Sequence, residues 1–395
     1  MLGFVLPQKF LDGRDYRDIR KRLFNRFEEF DLVSLPDRVF HISQHETALL
    51  IAKRPIKHDK SKTTFTFVKE HDRERFLGTY SYTWQARERK TPLEAEETIA
   101  IYPLRRIWEH LSSFSKLKDI AIIHRGIELS YPDPDTQKSQ KIVYSKKKQP
   151  GFKKGYCLAK ESTEIFSAPV VEYLGLEEGK LKWSDILRYP WGKPKVFVNA
   201  HRTSRGSWRY ASFIDTEGNI SSKNFVAMWP HKPNVSLEYL AAILNSPLAN
   251  AFVGAHERDK HNRVKTIQNI PIPELSDYDK QSIGQLVCGY MTKIEERVWS
   301  DDTILGDILL QIDALILKGY NLPPRLEREL LDYFRDEPRP TPFEFKEYIP
   351  ESFTACIPLL MYISPDFRQC TAENLLKQVP RITDPVLVKV LQEVE

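Results

Sequence analysis

Close to its first methionine the chain runs Gly3-Phe4-Val5-Leu6-Pro7, a short apolar stretch without polar alternation. Two more follow, Asp31-Leu32-Val33-Ser34-Leu35-Pro36 and Thr47-Ala48-Leu49-Leu50-Ile51-Ala52. Runs of this kind suit central strands of a parallel sheet covered on both faces. Between the first two, helical periodicity extends from Tyr16 to Phe30 and sets Ile19, Leu23 and Phe27 on one face. Two or three buried strands and one helix cannot cover such a sheet. The first 55 residues are therefore expected to open in the middle of an α/β domain whose remaining strands come from elsewhere. Gly3 to Leu6 should then keep an unsatisfied edge, and a partner would cover it together with the apolar face of the helix.

The length of 395 residues suggests two or three domains. No run approaches the apolar length of a transmembrane helix, and the N-terminus lacks the pattern of a signal peptide. Cys157, Cys288, Cys356 and Cys370 are scattered without a CxxC pair, which argues against structural zinc and disulfides and fits a reducing cytoplasm. The net charge of +5 is mild, so its local distribution is more informative.

Residues 56–100 are strongly charged and read as peripheral strands and a connector. Residues 101–275 alternate short strand-like runs with turn signals and carry one good helix, Leu237 to Val253. Residues 276–395 read as mainly helical, with helices from Ile283 to Trp299, Thr303 to Leu317 and Pro324 to Phe334. Irregular packing is expected up to Tyr362, and a last amphipathic helix near Pro385 to Val394.

Three polar segments and one aromatic residue are candidates for binding. The stretch from Lys138 to Lys154 includes Lys146, Lys147 and Lys148, contains no acid, and interleaves Tyr144, Phe152 and Tyr156. Such a loop attracts phosphates by counterion release and offers rings for stacking, although a solvated loop would have the same composition. The apolar run ending at Val198 leads into Asn199, His201, Arg202, Arg205 and Arg209, residue types that reach phosphates and base edges. A polar hairpin tip is the alternative. Arg258, Lys260 and Arg263 form a third cluster after the helix. Phe40, between the second and third apolar runs, reads in isolation as a core residue. Phosphate-loop, nucleophile-elbow and dinucleotide fingerprints are lacking, and no catalytic constellation can be assembled.

In their order along the chain, these segments resemble the C-terminal part of N6-adenine DNA methyltransferases of restriction–modification systems. Gly3 to Leu11 looks like the strand-and-helix start that follows the family's catalytic motif. Leu35-Pro36-Asp37-Arg38-Val39-Phe40 with Glu46 to Ala52 looks like its last catalytic-domain hairpin. Lys195 to Ala200, Leu240 to Leu248 and Ile270-Pro271-Ile272-Pro273 resemble a target-recognition domain, the last two being similar to type I specificity subunits as well. The resemblance implies an incomplete Rossmann-like methyltransferase portion (1–55), an α/β recognition domain (101–275) and a helical extension (276–395), α/β in class. It also implies that Phe40 stacks on a flipped adenine.

Two departures set the expected function. The glycine-bearing S-adenosyl-L-methionine motif is absent, and so is the Asn-Pro-Pro-aromatic tetrapeptide; Asn269-Ile270-Pro271 and Asn321-Leu322-Pro323-Pro324 are not substitutes. Methyl transfer to an amine requires donor and acceptor in one dry pocket, in line. The chain is thus expected to bind double-stranded DNA, to bind no cofactor alone, and to depend on a second chain carrying the methyltransferase motifs and S-adenosyl-L-methionine. A non-catalytic specificity subunit, or an inactive remnant, is the alternative.

Overall fold

The computed structural model describes residues 1–369 apart from 37, 41–45, 56–59, 83, 102, 129–143, 158–162, 177–185, 205, 258–260 and 297–301. The first unit holds β1 (Leu2–Pro7), α1 (Arg17–Phe24), β2 (Phe27–Ser34), β3 (Thr47–Pro55), β4 (Ser61–Phe67), α2 (Arg73–Thr79), β5 (Trp84–Lys90) and α3 (Pro92–Glu97). Its five-stranded sheet has the order β1-β3-β2-β4-β5. β3 is antiparallel to both β1 and β2, and β2 is parallel to β4. β1, β2 and β4 therefore run the same way and end at one edge of the sheet.

Several expectations are corrected by this sheet. β1 is an edge strand in antiparallel pairing, not a central strand of a parallel sheet, and Gly3, Phe4 and Val5 are exposed. An apolar run is compatible with either position, and only pairing partners decide. The charged segment 56–100 supplies β4 and β5, so the expected division at residue 55 runs through one sheet. The helix ends at Phe24, and Phe27 to Phe30 begin β2. Phe24 stacks on Phe30 with centroids 4.0 Å apart, so the aromatic period reflects a fold-back, not a continuing helix.

α1 is anchored by Arg20, which is fully buried and donates to the carbonyls of Phe10, Gly13, Ala95 and Glu96 at 2.6–3.0 Å. These bonds pay its desolvation and lock α1 onto the α3 segment. Leu23 and Phe27 already pack against the core of this unit, while Ile19 points outward. A continuous apolar face of α1 awaiting a partner is not present.

The second unit contains α4 (Arg105–His110), β6 (Ala121–Arg125), β7 (Tyr144–Ser145), β8 (Phe152–Tyr156), β9 (Glu172–Gly175), β10 (Lys195–Asn199), β11 (Ser212–Asp215), β12 (Ile220–Ser221) and β13 (Phe225–Pro230). Two four-stranded sheets form, β11-β10-β13-β6 and β12-β8-β9-β7. β10 is buried throughout. Val196 and Val198 face the helical core, and Phe197 joins the core shared with the second sheet.

The helices are α5 (Leu237–Asn245), α6 (Pro247–His256), α7 (Val264–Gln268), α8 (Asp277–Glu295), α9 (Asp302–Lys318), α10 (Pro324–Asp332), α11 (Leu359–Tyr362) and α12 (Pro365–Gln369). The single helix expected over 237–253 is two, because Ser246 caps α6 through Ala249 N–H and Pro247 cannot continue α5. Ile270 to Pro273 pairs by one bridge, Lys116 to Pro271, and is not a regular strand. Residues of α8, α9 and α10 share one hydrophobic core with β6, β10, β13 and α5, so residue 275 marks no boundary between cores. The helix expected near Pro385 to Val394 lies outside the described residues. No described helix is long and apolar enough to cross a membrane.

Candidate nucleic-acid interface

A cleft lies where the carboxyl ends of β1, β2 and β4 meet the second unit. Its first wall is Gln8, Leu35, Pro36, Glu46, Val68, Lys69 and Glu70. That wall is stiff. Gln8 Nε2 donates to Leu35 O at 2.8 Å, Gln8 N–H to Glu46 O at 3.0 Å, and Val68 N–H to Ser34 O at 3.2 Å. The cleft lies just outside the carboxyl ends of β1, β2 and β4, the strands that run the same way in this mixed sheet.

The opposite wall comes from the turn after β10 (Arg202, Gly206, Ser207, Arg209), the end of α6 (Gly254, Glu257) and the segment after α10 (Tyr333, Glu337). Arg202 Nη1 lies 2.5 Å from Glu46 Oε1 and bridges the two walls. Lys69 Nζ donates to Tyr333 O at 2.8 Å, and burial lowers its pKa. His71 Nδ1 lies 3.3 Å from Glu337 Oε1, a hydrogen bond that raises the His71 pKa. A Cβ at Gly206 would sit 1.9 Å from Glu337 Oε2, so a larger residue there would have to displace the Glu337 carboxylate.

Arg202 thus lies at the cleft, beside Glu46. Arg209 also reaches the cleft but is buried, and that burial pulls its pKa down to about 10, with repulsion from Arg202 adding to the effect. It remains protonated at neutral pH. Asn199 is buried and faces the fold: its Oδ1 accepts from Ala211 N–H at 2.9 Å and its Nδ2 donates to His201 O. Its expected base contact is therefore corrected, since an amide at the end of a buried strand is consumed in closing the turn. His201 pairs by a bridge with His261, their rings 4.5 Å apart, and Asn262 Nδ2 donates to Asn199 O at 3.0 Å. These bonds join two segments that are sixty residues apart in the sequence. Arg263 is exposed near Glu257 at 3.7 Å. Arg205, Arg258 and Lys260 lie outside the described residues.

Phe40 is 39% exposed, in the β2–β3 connection that leaves the cleft edge, and so is not the core residue it resembles in isolation. Lys146, Lys147 and Lys148 are exposed in the turn after β7, while Lys138 and Lys141 lie outside the described residues. Lys69, His71, Tyr333 and Glu337 had no motif to announce them. Glu46 alone had a sequence signal, as the acid that opens the third apolar run.

The cleft has mixed charge: Lys69, Arg202 and Arg209 against Glu46, Glu70, Glu257 and Glu337. Alternating donors and acceptors suit a polar base edge better than a bare phosphate. The strand ends here run Pro7-Gln8-Lys9, Ser34-Leu35-Pro36 and Phe67-Val68-Lys69, with no glycine to let backbone approach a cofactor.

The sequence matches no protein-family model, and no curated protein matches it. Among solved structures it is similar to the type IIG restriction endonuclease BpuSI, at 13% identity and a TM-score of 0.35, over 80% of this chain and 47% of that one. It is similar to the Type IIL restriction-modification enzyme MmeI in complex with DNA, at 9% identity and a TM-score of 0.44, over 84% and 48%. It is also similar to DrdV in its DNA complex, at 11% identity and a TM-score of 0.38, over 73% and 37%. The chain spans about half the length of the first two and less of the third.

Proposed function

We propose that this chain recognises double-stranded DNA for an adenine-N6 methyltransferase of the restriction–modification type, with cofactor binding and catalysis supplied by a separate chain. The observation that carries the reading is the cleft at the carboxyl ends of three co-directional strands, with Phe40 exposed on the connection beside it. Base flipping costs a few kcal/mol, and an aromatic side chain beside the cleft returns part of it by stacking. Arg202 supplies a forked donor to a base edge, and Lys146, Lys147 and Lys148 supply phosphate contacts away from the cleft. The uncharged edge strand β1, exposing Phe4 and Val5, is the place for strands of the catalytic chain.

The test uses this chain alone and co-expressed with a chain that carries the S-adenosyl-L-methionine and Asn-Pro-Pro-aromatic motifs. Alone, it should bind duplex DNA and transfer no methyl group. In the complex, Phe40→Ala should reduce adenine methylation more than DNA binding. Methylation by the chain alone refutes the division of labour, and a Phe40→Ala complex with full activity refutes the stacking role.

A further inference from the structure

Arg202 and Glu46 approach each other from different units and are largely withdrawn from solvent. Arg202 Nη1 lies 2.5 Å from Glu46 Oε1, and the two side chains are only 16% and 21% exposed. Both walls are tied down around the pair. Glu46 O accepts from Gln8 N–H at 3.0 Å, and the next carbonyl, Thr47 O, accepts from Leu35 N–H at 3.0 Å. On the other wall Thr203 N–H donates to Arg209 O at 3.0 Å, Ser204 Oγ donates to Trp208 O at 2.9 Å, and His201 bridges to His261. For Arg202 to reach any other group, its side chain must leave the Glu46 carboxylate.

The surrounding charges decide what can draw it away. Glu46, Glu70, Glu257 and Glu337 line the cleft against Lys69, Arg202 and Arg209, so carboxylates outnumber the fixed cations there. Glu70 is close enough to interact with both members of the pair. Arg209, buried in the same wall, repels Arg202, and the Glu46 charge offsets that repulsion. A phosphate that approaches Arg202 therefore meets like charge from Glu70 and competes with a carboxylate already in place. A neutral base edge meets no such repulsion and offers acceptors of its own. Like-charge contacts of this kind are how a binding surface rejects the wrong group.

We propose that Glu46 restrains Arg202 in the free protein and withholds it from the phosphates of unrelated DNA, releasing it only where a base edge takes the place of the carboxylate. Glu46 is then a positioning residue for specificity: it touches no DNA and acts through Arg202. Its effect on affinity is negative, because binding through Arg202 is reduced by the fraction of molecules in which the arginine is held. The inference rests on the DNA-recognition reading above and adds to it a residue that opposes indiscriminate binding.

The experiment is a double-mutant cycle of Glu46→Gln and Arg202→Ala in the full chain, with Kd measured by fluorescence anisotropy on two unrelated duplexes over a range of salt. Glu46→Gln removes the charge and keeps the side-chain size, and a Tm near wild type shows that the fold is kept. It should tighten binding to both duplexes by about three- to tenfold and steepen the salt slope by about 0.9, the share of one phosphate. It should also weaken the base preference found by selection on randomised sites. In the Arg202→Ala background the same substitution should change affinity by less than about twofold, because no arginine remains to be released. An equal gain in that background would come from removing a negative charge alone, and overturns the restraint. Unchanged or weaker binding by Glu46→Gln with Arg202 present overturns it as well, since the carboxylate would then be idle or would hold Arg202 ready for DNA. These outcomes leave the DNA-recognition reading standing as long as the wild type binds duplex DNA. If neither the wild type nor Glu46→Gln binds either duplex, that reading fails, and the restraint with it.

Discussion

Replacing Lys146, Lys147 and Lys148 together by glutamine isolates the phosphate-binding part of the proposal. All three are exposed, and no carboxylate pairs with them among the described residues. Their turn is held by other groups. Ser145 Oγ accepts from Lys147 N–H at 3.1 Å and from Gln149 Nε2 at 3.2 Å, and Gly151 takes φ 77°. The substitutions should therefore change the free energy of unfolding only within the small range of surface changes, about 0.5 kcal/mol. Each phosphate neutralised contributes about 0.9 to the slope of log K against log salt, so three contacts contribute about 2.7. Between about 50 and 200 mM salt, the wild type should then lose roughly 40-fold more affinity than the variant. The assay is a salt titration of Kd on two unrelated duplexes, and the change should be the same on both, because phosphates carry no sequence. An unchanged slope refutes the argument and makes the turn a solvated loop. A loss confined to one duplex refutes it differently, by making these lysines base readers.

The two cleft arginines should separate. Arg202→Ala is expected to keep Tm near wild type and relax preference at one base position, by about 1–3 kcal/mol of discrimination, measured by binding selection on randomised sites. Arg209→Ala should instead cost about 2–4 kcal/mol of stability by denaturant unfolding, because a buried side chain is removed from the packed wall; a stable Arg209→Ala with altered sequence preference would reverse the assignment. The His71–Glu337 contact should make stability fall with rising pH. The folded pKa of His71 is raised above its unfolded value near 6.5, so its stabilisation is present below that value and disappears as pH passes the folded one. His71→Gln should remove this component of the Tm profile, and an identical profile in the variant would refute the linkage.

Much of the local structure was legible from residue order. The apolar runs at 2–7, 31–34 and 47–52 are strands, and the helical periods after residue 276 are helices, because side-chain periodicity reports which faces must be buried. The Arg-rich turn after β10 and the exposed lysines were visible as composition. Whether a strand is central or at an edge was not, because an apolar run meets both requirements and the hydrogen-bond partner lies far away in sequence. Nor was the length of the first helix, since Phe24 and Phe30 stack on each other across a chain reversal.

The sequence by itself showed where several strands and helices lie, the lack of a cofactor motif and the segments rich in donors. Only the tertiary structure decided which donors are available. Asn199 and Arg209 share the turn of Arg202 and have the same chemical promise, yet packing buries both and leaves Arg202 bridged to Glu46 at the cleft. It also brought Lys69, His71 and Glu337 to that cleft from the β4 and α10 ends, more than two hundred residues apart. Burial and pairing are set by contacts distant in sequence, and no local pattern of residues encodes them.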